Sequence, residues 1–210
     1  MNYIVDKINK IFKDKKAYFF IVLMMFCLGI SFGLYTVKYM GEADRNDLIS
    51  YLNSFTNSIQ GQPINYTELL FEVIKKSLIL IIPILIFGMT FFGFPLILIL
   101  DLIKGFTLGY TFSFIASSFE DKGLLLGIIS ILPQNIIYIP CFIALSVICL
   151  DLSVEKFKEK VFKSSKVKNI SLGDTLNRFI IIIILFILGI LIETYVSPSI
   201  IKFMVSKFLV

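Results

Sequence analysis

The 210-residue chain contains no histidine, and charged residues make up only 17% of it. Zinc sites built on imidazole and nucleophiles activated by histidine are therefore excluded. The sequence also lacks a Gly-x-x-x-x-Gly-Lys-Ser/Thr motif, which excludes a Walker-type ATPase. Carboxylates near the apolar runs lie at the ends of different runs, so a paired acid and base is hard to assemble. These absences predict a protein that is not an enzyme, with no catalytic residue, no metal site and no cofactor.

Cysteine is also scarce, and the three cysteines all fall within apolar runs. Cys27, Cys141 and Cys149 are therefore expected to be small buried side chains and not disulfide partners or metal ligands. The chain is basic, with a pI of about 9.0. Most of its lysines flank apolar runs, where lysine orients a membrane protein and contacts anionic membrane lipid. No nucleic-acid partner is expected, because charge is the one feature that points to it.

Apolar residues make up 57% of the chain and are collected in long runs, which predicts an all-α polytopic membrane protein. A helix of about 20 apolar residues crosses a bilayer. Five such spans are predicted, at about residues 17–37, 77–100, 105–119, 123–150 and 178–195, within one membrane domain over residues 17–195. Proline and glycine inside the second and fourth spans predict kinks there.

Four polar or amphipathic segments flank these spans. They are a cytoplasmic amphipathic helix over residues 1–16, an outer segment with a surface helix over 38–76, a cytoplasmic basic segment over 151–177, and an outer amphipathic tail over 196–210. With the N-terminus in the cytoplasm, the inner segments hold 13 Lys and Arg residues and the outer segments hold 7. Because positive residues accumulate on the inner side, this count favours a cytoplasmic N-terminus and an external C-terminus in the bacterial cell membrane.

A very short turn is predicted between the second and third spans, where Asp101 and Lys104 are close enough to form a local ion pair. Because this turn is short and the third span is brief, a re-entrant hairpin formed by the two spans is the alternative. Glu193, near the end of the fifth span, is expected to extend to the outer interface.

The fourth span contains an unusual group of polar residues. Pro133, Gln134, Asn135, Tyr138 and Pro140 place two amides, a phenol and two prolines in a run of 28 uncharged residues. Polar groups at this depth must find partners inside the protein, because lipid provides none. Hydrogen bonds between helices are the favoured interpretation of the two amides, and substrate binding is the alternative.

Small residues predict where helices pack closely. Gly29 and Gly33 form a Gly-x-x-x-Gly pair in the first span. In the third span a small residue recurs at every fourth position: Gly105, Gly109, Ser113 and Ser117. The first and third spans are therefore expected to pack against each other, and the same residues would also serve contacts in a homo-oligomer.

These features together resemble one known family over nearly the whole chain. Five spans, a basic N-terminal helix, a long outer segment after the first span and Pro-Gln-Asn-x-x-Tyr-x-Pro in the fourth span look like the stage II sporulation protein M family. The stretch from Lys104 to Gly109 is similar to the small-residue entry to the third helix in that family.

The resemblance implies a non-enzymatic membrane scaffold in bacterial sporulation. Members of this family act in engulfment, when the mother-cell membrane migrates around the forespore. The scaffold would recruit or regulate two peptidoglycan hydrolases, stage II sporulation proteins P and D, which remodel the septal wall. The alternative, drawn from the kinked spans and the buried amides, is a permease-like component of a small transport machine, in which residues 151–177 would couple to a separate ATPase.

Overall fold

The structure is a computed structural model, and it describes residues 16–61, 65–118, 123–162 and 172–199. Every regular element within these ranges is helical, which confirms the all-α prediction for this part of the chain. The helices are α1 (Lys16–Lys38), α2 (Glu42–Gly61), α3 (Tyr66–Gly88), α4 (Gly93–Ser118), α5 (Gly123–Phe162) and α6 (Leu172–Leu191), followed by a π-helical segment (Ile192–Val196). The predicted amphipathic helix before Lys16 and the predicted tail after Ser199 lie outside the described residues.

Four of the described helices are long and apolar enough to cross a bilayer. They cover Lys16–Lys38, Gly93–Ser118, Gly123–Val161 and Asn177–Ser199. Helix α3 does not meet this standard, because its first half carries four charged residues: Glu68, Glu72, Lys75 and Lys76. The fold is therefore that of a membrane protein with several candidate spans, four of which are supported by length and composition.

The second and third predicted spans are divided differently in the structure. Helix α3 ends at Gly88, residues 89–92 form a turn, and α4 begins at Gly93. The predicted turn at residues 101–104 is absent, since those residues lie inside α4. The two glycines bracket the end of one helix and the start of the next. Pro95 is tolerated in the first turn of α4, where a backbone nitrogen needs no helical acceptor.

The predicted outer segment over residues 38–76 is also divided. Its first part forms the surface helix α2, whose residues 42–47 are all exposed. Its last part belongs to α3, which begins after Asn65, and Val73 is already buried in the bundle. Lys75 and Lys76 lower the apolar content of this segment, but the helix continues through them because lysine has a high helix propensity.

Helices α1 and α4 lie side by side and run in the same direction. Gly29 lies against Leu102, and four residues further along both helices, Gly33 lies against Phe106. Parallel neighbours start at the same side of a bundle, so the chain between them must return to that side. Helix α3 makes this return, since it ends at the turn that leads into α4.

The bundle therefore has two sides, which we name by the residues at the helix ends. On the Ser118 side, α4 ends and α5 begins, and Tyr66 at the start of α3 stacks on Tyr195 after α6 with ring centroids 5.6 Å apart. On the Gly88 side, α3 ends and α4 begins.

Helix α5 is the centre of the bundle. Of its membrane-spanning window, 67% is buried, against 22% in each of α1, α4 and α6. Its side chains Cys141 and Cys149 are buried and free, as predicted, and Phe142 is among the most completely enclosed large side chains. Cys27 is exposed instead, because α1 contacts the bundle through one face and its other face is left for lipid.

Helix α5 continues beyond Leu150 to Phe162 and holds the turn between α3 and α4. Ser153 donates a hydrogen bond of 2.8 Å to the carbonyl oxygen of Thr90, and Lys156 donates one of 2.9 Å to that of Met89. These bonds supply side-chain donors to carbonyls of the turn. The beginning of the predicted basic segment 151–177 is therefore part of the bundle.

Candidate functional site

A partly open cavity lies between α3, α4, α5 and the end of α6. Its volume of about 130 Å³ is large enough for several water molecules. Polar side chains from all four elements line it: Lys76, Ser77, Lys104, Thr107, Thr111, Gln134, Asn135, Tyr138 and Glu193. A polar cavity inside an apolar bundle is the main candidate for a functional site.

The cavity lies deep in the bundle. Lys104 is about four turns before the end of α4, and Gln134 is about three turns after the start of α5. At the rise of an α-helix, the two lie about 21 Å and about 17 Å from the Ser118 side. The hydrocarbon core of a bilayer is about 30 Å thick, so both positions are near its middle. Thr111, about two turns before the end of α4, extends the polar lining towards the Ser118 side.

Three charged side chains share this cavity. Lys76, Lys104 and Glu193 all line it, and Lys104 interacts electrostatically with both of the others. Within the described ranges, no ion pair within 4.0 Å joins Glu193 to either lysine. Two cationic groups and one anionic group therefore face an open space at a depth where ionisable residues are costly and usually functional.

The two amides of the polar motif both line the cavity. Asn135 donates a hydrogen bond of 2.7 Å to the carbonyl oxygen of Ile131, one turn earlier in the same helix. The Asn135 amide therefore bonds within its own helix and not between helices as the sequence predicts. This is possible because an asparagine in a helix can reach the carbonyl four residues back. Pro133 and Pro140 lie within α5, which continues through both.

Tyr138 connects the cavity to the packing of α6. Its side chain is only 7% exposed, and its ring centroid lies 5.9 Å from that of Phe186. Gly189 makes room for the ring, since a Cβ atom there would lie 2.8 Å from it. Ser77 and Glu193 lie near the Tyr138 hydroxyl, but no described residue forms a hydrogen bond of normal length and angle with it. Buried polar groups are normally paired, so an unpaired hydroxyl beside a cavity indicates a place for water or a ligand.

A π-helical segment brings Glu193 to the cavity. Segments of this kind are rare and occur often at functional sites. The wider turn over Ile192–Val196 changes the direction of the side chains, and Glu193 lines the cavity. The sequence predicts that Glu193 extends to the outer interface, and the structure adds that its side chain is half-buried and lines this cavity. No residue pattern in the sequence signals the π-helical turn.

Asp101 belongs to a separate polar pair nearer the Gly88 side. It is completely buried and accepts a hydrogen bond of 2.6 Å from Ser146 of α5. Its other carboxyl oxygen has no partner in the part of the chain that the structure describes. The predicted ion pair with Lys104 is not formed, because Asp101 contacts α5 while Lys104 lines the cavity. Sequence reasoning missed Ser146, since one serine in an apolar run does not indicate its partner.

The four glycines of the predicted packing stripe lie in the seam between α1 and α4: Gly29, Gly33, Gly105 and Gly109. A Cβ atom on Gly105 would overlap the backbone carbonyl oxygen of Phe26. The two backbones therefore meet without a side chain between them. Ser113 is half-buried and Ser117 is exposed, so the close contact comes from the glycines.

Gly29-Ile30-Ser31-Phe32-Gly33 also matches the Gly-x-Ser-x-Gly pattern of serine hydrolases. That pattern acts at a strained turn between a strand and a helix, which exposes the serine. Here Ser31 lies in the middle of α1 and donates a hydrogen bond of 3.0 Å to the carbonyl oxygen of Cys27. Ser31 therefore lacks the strand-to-helix turn on which that motif depends. The described residues also contain no cluster of His, Cys, Asp or Glu that could hold a metal ion.

Apolar helices packed through glycine and enclosing a charged cavity define a polytopic α-helical membrane protein. The family model for stage II sporulation protein M matches residues 22–198, and the chain belongs to that family. This match confirms the family predicted from the sequence and identifies a sporulation-related membrane protein. Searches of curated proteins and of solved structures gave no match.

Proposed function

We propose that this protein is a non-enzymatic scaffold in the bacterial cell membrane that recruits or regulates peptidoglycan hydrolases during engulfment. Its membership of the stage II sporulation protein M family carries the proposal. The hydrolase partners are stage II sporulation proteins P and D, which cut the septal wall while this chain holds them at the membrane.

In this proposal the chain crosses the membrane five times, with its N-terminus in the cytoplasm. The parallel direction of α1 and α4 supports a returning helix between them, and α3 occupies that position although its first half is charged. The 26 residues of α4 extend for about 39 Å, which is long enough to cross the bilayer and argues against a re-entrant hairpin. The distribution of lysine and arginine supports an orientation with the Ser118 side outside the cell.

Helix α2 would be the surface that the partners contact. Arg45 holds it to the Ser118 side by donating a hydrogen bond of 2.7 Å to the carbonyl oxygen of Ser117. A cation is favoured at this position, because the carbonyls at the end of a helix carry partial negative charge. The side chains of Glu42, Asp44 and Asp47 are exposed on α2 and form an acidic surface.

Substitution of this acidic surface tests the scaffold role. Changing Glu42, Asp44 and Asp47 to alanine should reduce several-fold the amounts of the two hydrolases that co-purify with the protein from sporulating cells. The control changes Glu155 and Glu159 of α5, near the Gly88 side, and should leave recovery unchanged. Full recovery of both hydrolases with the α2 variant would exclude this surface as the contact.

A second candidate function is a permease-like component of a transport machine. The cavity that reaches Gln134 and Asn135 near the middle of the bilayer is the observation that favours it. This function requires an ATPase that co-purifies with the chain and detaches when Lys158 and Lys160, exposed on the end of α5, are changed to glutamate. Recovery of the hydrolases without any ATPase would exclude it.

A further inference from the structure

We infer that the cavity is a binding site for a phosphate group, either free or carried as the headgroup of an anionic lipid. Two lysines and one glutamate line the cavity, so its charge is positive if all three are ionised. Lys76 and Lys104 act on each other as like charges, and this repulsion is less screened beside a protein wall than in bulk water. An anion bound between them would replace this repulsion with two attractions.

The cavity also offers hydrogen-bond donors besides the two lysines. The Tyr138 hydroxyl is more than nine-tenths buried, borders the cavity and has no partner among the described residues. Gln134 adds a side-chain amide from the preceding turn of α5. A hydroxyl left unpaired at this depth loses its hydration without compensation unless an acceptor in the cavity receives its hydrogen bond.

The arrangement of these donors suits a phosphate better than a carboxylate. Lys76, Lys104 and Tyr138 line the cavity from three different helices. A phosphate has several acceptor oxygens in a tetrahedral arrangement, whereas a carboxylate has two in one plane. Lysine binds phosphate as a point charge and needs no fixed planar geometry.

The lining and the entrance are compatible with a lipid as the source of the phosphate. Leu80, Leu108 and Ile131 form part of the wall beside the polar groups, so the site has an apolar portion for an acyl chain. Lys76 is exposed, which leaves the cavity accessible beside α3. Free phosphate requires only the polar portion, and the two sources are separated by experiment.

The test uses the full-length protein in phosphatidylcholine nanodiscs. Binding of phosphatidic acid is compared with that of diacylglycerol, which has the same acyl chains without the phosphate, and inorganic phosphate is titrated separately. Bound molecules are counted by native mass spectrometry, and thermal unfolding of each variant shows that it is folded. We expect phosphatidic acid to bind and diacylglycerol not to bind. Binding of inorganic phosphate with the same dependence on the lysines would identify a soluble anion as the source.

Four variants distinguish this cavity from general attraction to a basic surface. Lys76→Gln and Lys104→Gln should each weaken phosphate binding by about tenfold or more, because each removes a charge-assisted hydrogen bond. Glu193→Gln should strengthen binding, because it removes a negative charge from the same cavity. Lys75→Gln is the matched control, because Lys75 is the neighbour of Lys76 in α3 but lies outside the cavity, against an apolar surface. This substitution should leave phosphate binding unchanged.

Two results would overturn the inference. The first is that the unchanged protein binds phosphatidic acid no better than diacylglycerol and does not bind inorganic phosphate. The second is that Lys75→Gln weakens binding as much as Lys76→Gln while Glu193→Gln has no effect, which would mean attraction to the surface only. If Lys104→Gln does not fold, the opposite effects expected for Lys76→Gln and Glu193→Gln still decide the question. None of these results depends on whether the hydrolases bind to α2.

Discussion

Single polar side chains determine how the inner helices of this bundle are aligned. Asp101 is completely enclosed, and the hydrogen bond that it accepts from Ser146 joins α4 to α5. A buried carboxyl group that loses a hydrogen bond keeps its desolvation penalty without compensation. The pair therefore favours one alignment of α4 against α5 over alignments shifted by a residue.

Replacing Ser146 by alanine should lower the free energy of unfolding by about 1–3 kcal/mol, because a buried acceptor then has no donor. Thermal unfolding of the purified protein in detergent measures this effect. Ser31→Ala is the control, since Ser31 is exposed and bonds only within its own helix; it should change stability by less than about 0.5 kcal/mol. Equal stability of the two variants would show that the Asp101–Ser146 bond does not hold the helices.

Pairs of helices are joined in two different ways in this structure. Helices α1 and α4 meet backbone to backbone through glycine, whereas α5 and α6 meet through rings such as those of Tyr138 and Phe186. Backbone contact needs small residues at every fourth position on one face, and this pattern is visible in the sequence. Contact through large side chains has no comparable signature.

Gly105→Ala should destabilise the bundle by about 1–3 kcal/mol, since the added methyl group overlaps a carbonyl oxygen of α1 that cannot move alone. Gly127→Ala is the matched control in α5: its methyl group would lie 3.4 Å from the Phe112 ring, an ordinary contact. Because alanine has the higher helix propensity, that variant should be neutral or more stable by up to about 1 kcal/mol. Unfolding curves in detergent measure both variants. A loss of stability of equal size in both would refute the close backbone contact between α1 and α4.

The whole molecule is organised around α5, with the Ser118 and Gly88 sides at opposite ends. Exposed apolar side chains remain on the outward faces of the surrounding helices, where lipid would contact them. The charged cavity is placed between the centre of this bundle and the Ser118 side. If the N-terminus is cytoplasmic, the polar lining extends towards the outside of the cell.

Single cysteines should report this orientation in whole cells, in a background where Cys27, Cys141 and Cys149 are replaced by alanine. A membrane-impermeant maleimide should label Asn46→Cys, on α2, without permeabilisation. It should label Lys158→Cys, on the end of α5, only after the membrane is opened. Both positions are exposed, so access to the reagent depends on the side of the membrane. The reverse pattern would place the N-terminus outside.

The sequence indicates several individual residues of the cavity, but not that they lie together. Gln134, Asn135 and Tyr138 stand out in the sequence because polar groups are rare in long apolar runs. That Lys104 and Glu193 share a cavity with them could not be predicted, since these groups are far apart along the chain. Their meeting depends on the directions of the helices and on the π-helical turn.

The sequence by itself determined the class of protein, the family and the small residues of the α1–α4 seam. It could do so because composition and helical period are local properties, and each apolar run must bury or expose its own face. Only the tertiary structure decided that the chain turns at residues 89–92, that Asp101 bonds to Ser146 and that three charged groups enclose one space. Those features result from contacts between distant residues, and no local pattern encodes which helix lies beside which.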